Sequence, residues 1–198
     1  MRTTSPPSPL GSIAIELARH LGSTVATTTS TKNLGWVKDL GADVLIDYTT
    51  TDFADVLKDY DVVLDTQVGR TLEKSLQVLQ PGGKVVSVAG PPDPVFGKEF
   101  GANWFLIQGM RALSFAIRRK AKRRSVSYVF LFMRASGEQL VELGALVELG
   151  ALVDSGAIRP VIDRVFPFDA TLEAVSYVES GRAKGKVVVQ MTDAVDRA

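Results

Sequence analysis

The sequence predicts an α/β fold, a doubly wound parallel sheet with helices on both faces. Three observations carry that expectation. Short β-branched, apolar runs alternate with helix-patterned segments from residue 11 to residue 90. Each run is an almost continuous apolar stretch, as a strand covered on both faces must be, where a half-exposed strand would alternate with polar residues. Successive strands begin about twenty residues apart, room for a crossover helix between parallel strands.

Taken in order, GSIAIELARHLG (11–22) reads as the first helix. Ser12 sits where an N-cap would, Ile13, Leu17 and Leu21 recur at helical spacing, and Gly22 is a stop. STVATTTS (23–30) is a strand, 33–41 a helix ending at Gly41, VLIDY (44–48) a strand, DFADVL (52–57) a short helix and DVVLDT (61–66) a strand. TLEKSLQVLQ (71–80) is a helix stopped by Pro81-Gly82, and KVVSVAG (84–90) a strand. After Gly90 the rhythm changes. PPDP (91–94) is a turn, 101–124 a helix that begins apolar and ends basic, and VSYVFLFM (126–133) a strand. Residues 137–156 are helical by composition, 158–168 extended, 170–180 helical and 185–191 a last strand before a tail, 192–198. Within this stretch LVELGA (140–145) repeats at 146–151 and, as LVDSGA, at 152–157. A six-residue step turns a helix by about 240° beyond a full turn, so the copies aim their leucines at different faces. An accidental duplication accounts for it better than a helix seeking an apolar partner.

The front of the domain is the anomaly. A dinucleotide-binding unit opens with a buried strand and a glycine loop before its first helix. Here MRTTSPPSPL carries three prolines and no apolar run. Proline removes ladder donors and is excluded from central strands. Residues 1–10 therefore read as a disordered, non-native-like leader. The fold is expected as a Rossmann-type sheet truncated at its N-terminus, with the first strand and glycine loop missing, over residues 11–191.

Composition narrows the chemistry. The 198 residues carry a net charge of +1, which favours neither nucleic acid nor a membrane surface. There is no cysteine and only one histidine, His20, so thiolate and histidine metal sites are excluded and no metal is expected. No apolar stretch approaches the ~18 residues of a membrane span, and the first ten lack a signal-peptide core; a cytoplasmic location is expected. The run RRKAKRR (118–124) reads as a solvated helix end. Trp104, Phe105, Phe115, Tyr128, Phe130 and Phe132 read as core packing rather than a pocket or interface.

The end of the second strand bears on the cofactor. An acid there accepts the ribose hydroxyls of NAD. This chain has Thr29-Ser30-Thr31-Lys32 instead, hydroxyls and a cation that suit a 2′-phosphate, so NADP is favoured. Asp65 and Thr66 end a strand at the same carboxyl edge, where ligands bind in open α/β sheets. Gly11 and Ser12 can offer N–H groups and a positive helix end to a pyrophosphate.

The segments ATTTSTKN, WVKDLGADVLIDY, YDVVLDTQVGRTLEKSLQVLQPGGKVVSVAG and FPFDATLEAVSYVESGRAKGKVVVQ resemble the zinc-independent quinone oxidoreductase branch of the medium-chain dehydrogenase/reductase superfamily. The resemblance covers about residues 11–191, the cofactor-domain portion of such proteins. It implies NADPH-dependent hydride transfer to a quinone or α,β-unsaturated carbonyl, and a homodimer. It implies that Lys32 contacts the 2′-phosphate with help from Ser30 and Thr31, that Tyr48 packs beside the adenosine phosphate, and that Arg182 reaches the adenosine end. Gly90 falls where backbone lines the cofactor cleft. In the family the active site also draws on a GroES-like domain that this sequence lacks, so the chain yields no catalytic residue. A non-catalytic NADP-binding module left by truncation is the alternative reading.

Overall fold

A computed structural model describes residues 2–4, 9–67, 69–132, 147–180, 183 and 185–191. Six parallel strands form the main sheet: β1 (Arg2–Thr4), β2 (Thr24–Thr29), β3 (Val44–Asp47), β4 (Tyr60–Asp65), β5 (Leu79–Ser87) and β6 (Ser127–Phe130). They lie in the order β3-β2-β1-β4-β5-β6, the doubly wound arrangement expected from the strand–helix rhythm. Around them run α1 (Pro9–His20), α2 (Leu34–Asp39), α3 (Phe53–Val56), α4 (Arg70–Ser75), α5 (Pro94–Glu99), α6 (Trp104–Leu113) and α7 (Phe115–Arg123). A second parallel pair, β7 (Ile162–Pro167) and β8 (Lys186–Gln190), follows with α8 (Val147–Asp154) and α9 (Thr171–Glu179).

Adjacent residues of β2 show how both faces are covered. Val25 packs with Ile15 of α1 and Val37 of α2, while Ala26 joins the opposite cluster with Val63, Val85, Leu72 of α4, Leu76 just after it, and Ile117 of α7. Successive side chains of a strand point to opposite faces, so a strand buried on both must be apolar or small throughout. Gly22 ends α1 with φ 71°, and the N–H of Ser23 returns to the Ala18 carbonyl at 2.9 Å, a glycine C-cap.

The front of the sheet differs from the expectation of a missing first strand. Arg2–Thr4, assigned by sequence to the leader, fill the central slot: Thr3 pairs with Val25 of β2 and with Val62 of β4, and Thr4 with Ala26 and Val63. The physical reason is position. All three prolines follow the strand, so none removes a donor from it, and two of its three residues are β-branched threonines. The helix also starts earlier than its apolar spacing suggests, with Pro9 at its first position, which needs no N–H. Ser12 is accordingly inside the first turn and buried, not an N-cap.

Three further boundaries move. The helix expected over 71–80 ends at Ser75. Leu76, Val78 and Leu79 are all buried, and β5 begins at Leu79 and carries Pro81-Gly82-Gly83 through a register shift opposite Tyr60–Val62. The single helix expected over 101–124 breaks at Ser114, whose hydroxyl bonds back to the Met110 carbonyl at 2.7 Å. PPDP is a turn only as far as Asp93, because Pro94 opens α5. The repeat at 140–157 lies partly outside the described residues; its described part contains α8.

The aromatic residues expected in the core divide. Tyr128 is buried and Phe130 packs against the core, but Trp104, Phe105, Phe115 and Phe132 are more than half exposed. On α7, Ile117 and Ala121 turn inward while Arg118, Arg119, Lys120, Lys122 and Arg123 are exposed, with Lys120 paired to Glu73 at 2.6 Å.

Candidate functional site

Because every strand of the main sheet is parallel, all their carboxyl ends meet at one edge. That edge collects Gly11 and Ser12 in the first turn of α1, Ser30–Lys32 after β2, Tyr48 after β3, Asp65 and Thr66 at the end of β4, and Gly90 after β5. Arg182 lies outside the described residues.

Ser30 leads into a 3-10 turn, Thr31–Asn33, without using its side chain as a cap. Thr31 and Lys32 are exposed. The Tyr48 N–H donates to the Thr29 carbonyl at 3.0 Å, so the turns that follow β2 and β3 lie side by side. Tyr48 is itself exposed, and with Thr49–Phe53, Arg70, Thr71 and Lys74 it lines a pocket of about 400 Å³. Lys74 forms an ion pair with Asp52, whose carboxylate also caps α3 through the Ala54 N–H at 3.1 Å. These contacts hold the Asp52 carboxyl below its ordinary range.

At β4 and β5 the edge is packed. Asp65 is buried; its Oδ2 accepts the Ser87 hydroxyl at 2.8 Å, and Ser87 Oγ in turn accepts the Gly90 N–H at 2.9 Å. Burial pushes the Asp65 carboxyl up to about 6, against the hydrogen bonds from Ser87 and the Gln67 backbone. A Cβ on Gly90 would lie 2.6 Å from Tyr128 Oη and 2.8 Å from Ser87 Oγ. Glycine is thus required here by the protein's own packing, whatever approaches from outside. Tyr128 donates to the Pro91 carbonyl at 2.6 Å, and its burial, with the charges of Asp93 and Asp65, raises its phenol well above the usual range.

Sequence reasoning missed two residues. Asp93 accepts the N–H groups of Val95 and Phe96 with Oδ1 and that of Phe130 with Oδ2, pinning α5 to β6. Its signal was present as an Asp before a proline and an apolar helix, an N-cap followed by Pro at the first helical position. Asp47, next to the singled-out Tyr48, accepts the hydroxyls of Thr31 and Thr49. The D-x-T-T pattern signals its local turn, but the contact to Thr31 depends on the β2–β3 pairing.

The edge offers what a phosphorylated dinucleotide needs. The first turn of α1, with Gly11 and Ser12, is the positive end of that helix's dipole. Lys32 supplies an exposed cation, and Thr29 Oγ1 is buried at the end of β2 without a hydrogen-bond partner. The chain has no cysteine, and among the described residues no three acids or histidines converge.

Known proteins agree with this architecture. A family model described as zinc-binding dehydrogenase matches residues 40–189. The chain is 36% identical over 184 residues to the 2-methylene-furan-3-one reductase of Solanum lycopersicum, covering 91% of this chain and 37% of that protein. It is 34% identical over 184 residues to the chloroplastic NADPH-dependent alkenal/one oxidoreductase of Arabidopsis thaliana, with the same coverage of 91% and 37%. Among solved structures, the quinone oxidoreductase of Coxiella burnetii superposes with a TM-score of 0.70 at 26% identity, over 96% of this chain and 52% of that one. The chain therefore spans from about a third to half the length of these relatives. With its sheet order and that match, the chain belongs to the zinc-binding dehydrogenase family, in a form whose described residues make no zinc site.

Proposed function

We propose that this chain is the NADPH-binding portion of an oxidoreductase that reduces a quinone or an α,β-unsaturated carbonyl. One observation carries the reading: an exposed lysine, Lys32, preceded by hydroxyls, stands after β2 at the sheet edge where α1 also begins, with no acid at the end of that strand. When bound, NADPH supplies the hydride, and the chain's own part is to hold it in place. The N–H groups around Gly11 and Ser12 face the pyrophosphate. Lys32 and Ser30 take the 2′-phosphate, and Tyr48 covers the adenosine side. The relatives support the substrate class, since one is named for alkenals and enones and another for quinones. Among the described residues no helix is long and apolar enough to cross a membrane. A homodimer accords with the exposed aromatic residues of α6.

The test is direct. Millimolar NADPH is expected to raise the melting temperature of the purified chain, and Lys32→Glu to weaken NADPH more than NADH. No shift with NADPH, or equal weakening of both cofactors, sinks the reading. NADPH consumption with a quinone or an enone then separates an enzyme from a module that binds the cofactor without turnover.

A further inference from the structure

The acid missing from the end of β2 is supplied by β3. Asp47 closes β3, and its Oδ2 accepts the Thr31 hydroxyl while its Oδ1 accepts the Thr49 N–H at 2.9 Å and the Thr49 hydroxyl at 2.6 Å. These donors, with the Thr31 backbone, hold the carboxyl ionised and below its ordinary range. Two consequences follow at the subsite. A hydroxyl has one proton, and Thr31 gives its proton to Asp47, so Thr31 turns only lone pairs outward. A full negative charge also stands beside the residue that precedes Lys32 and offsets part of its attraction for a phosphate. A ribose 2′-hydroxyl can donate to Asp47. A 2′-phosphate dianion cannot.

We propose that Asp47 is a specificity-determining residue of this cofactor subsite, one that restrains the preference for NADPH which Lys32 creates and admits NADH. The inference rests on the cofactor reading above. Asp47→Asn is the informative variant. The amide oxygen keeps the Thr49 bonds, the amide nitrogen donates to Thr31 Oγ1, the Thr31 proton turns outward, and the charge is removed. By calorimetric titration of the full chain, the Kd for NADPH is expected to fall about tenfold, the scale of one screened charge facing a dianion a few ångströms away, and that for NADH to rise, because its ribose 2′-hydroxyl loses the carboxylate acceptor. Thr31→Val alone is expected to leave NADPH affinity within about twofold, whereas in the Asp47→Asn background it removes most of the gain.

Equal change for both cofactors in Asp47→Asn means that Asp47 only ties two turns together, and overturns the inference alone. Selective weakening of NADPH overturns it too. If Asp47→Asn does not fold, Thr31→Val decides. A selective loss of NADPH affinity beyond about twofold shows that Thr31 donates to the phosphate, and the inference fails. If the unaltered chain binds neither cofactor, the cofactor reading falls and this inference with it.

Discussion

Asp65 closes β4 against Ser87 of β5 with a carboxyl raised to about 6, so folding takes up a proton over a range where the unfolded chain has lost it. Below about pH 4 the group is neutral in both states and costs nothing. As pH rises through 6 the folded state must ionise it in a buried site, and about 2–3 kcal/mol of stability is lost. Glu16, buried against the Arg159 backbone and raised by desolvation, acts with the same sign. Asp47 and Asp52 act oppositely, and only where pH falls below their ordinary range. Urea unfolding is therefore expected to show a midpoint that declines from pH 4.5 to 7.5, and Asp65→Asn, which keeps an acceptor for Ser87, is expected to flatten that decline. An unchanged slope in the variant rules out Asp65 as its source. Gly90→Ala is expected to lower stability by about 1–3 kcal/mol, as overpacking does, because Tyr128 Oη and Ser87 Oγ already occupy the space of a Cβ. A melting temperature equal to that of the unaltered chain contradicts this. At this scale the sequence revealed positions better than environments. Asp65, Thr66 and Gly90 do follow or end strands at the carboxyl edge, but nothing local shows that Asp65 faces inward onto Ser87 or that Gly90 is pressed by Tyr128, residue partners 22 and 38 positions apart.

Asp93 joins two elements. It caps α5 through Val95 and Phe96, and its second oxygen takes the N–H of Phe130 at 3.0 Å, where the rings of Phe96 and Phe130 meet edge to face at 5.1 Å. Asp93→Ala is expected to cost about 2–4 kcal/mol, the sum of a lost cap and a backbone donor left unmatched. Asp93→Asn is expected to cost less, since its one oxygen retains the cap while its amide nitrogen opposes Phe130. Chemical denaturation ranks the two, and amide exchange at Phe130 locates the damage. Faster exchange at α5 with none at Phe130 contradicts the bridge. Element type was legible wherever the pattern was long, as in α1, β2 to β4 and α9. It failed where a local rule was overruled by packing. Pro81-Gly82 reads as a stop, yet β5 carries it in a bulge, because Leu79 and Val85 on either side are both needed in the core. At Ser114 a small polar residue, fully buried, takes a carbonyl bond that breaks a helix with no proline or glycine to mark it.

For the whole molecule, the parallel sheet was readable because crossover spacing and double-sided burial leave few alternatives. The first strand was not readable, because three residues are too few to show a pattern and the prolines behind them set the composition. The fate of the aromatic residues was not readable either, since an apolar side chain suits its own core and another surface equally well. The structure places Trp104 at 65% exposure and Phe105 at 78%, with Leu106 and Leu113 also exposed on the short helix α6. Monomers seldom leave contiguous apolar patches beyond a few hundred Å² uncovered. The chain is therefore expected to self-associate through this face, with a concentration-dependent mass in sedimentation equilibrium. Phe105→Ser combined with Leu113→Ser is expected to shift the population to monomer while the melting temperature at low concentration stays unchanged, because neither side chain is buried. Salt distinguishes this contact from one made by the neighbouring basic helix. Apolar association persists or strengthens at high ionic strength, whereas association through Arg118, Arg119 and Arg123 weakens as charges are screened. A mass that falls with salt, or that the double variant leaves unaltered, moves the interface away from α6.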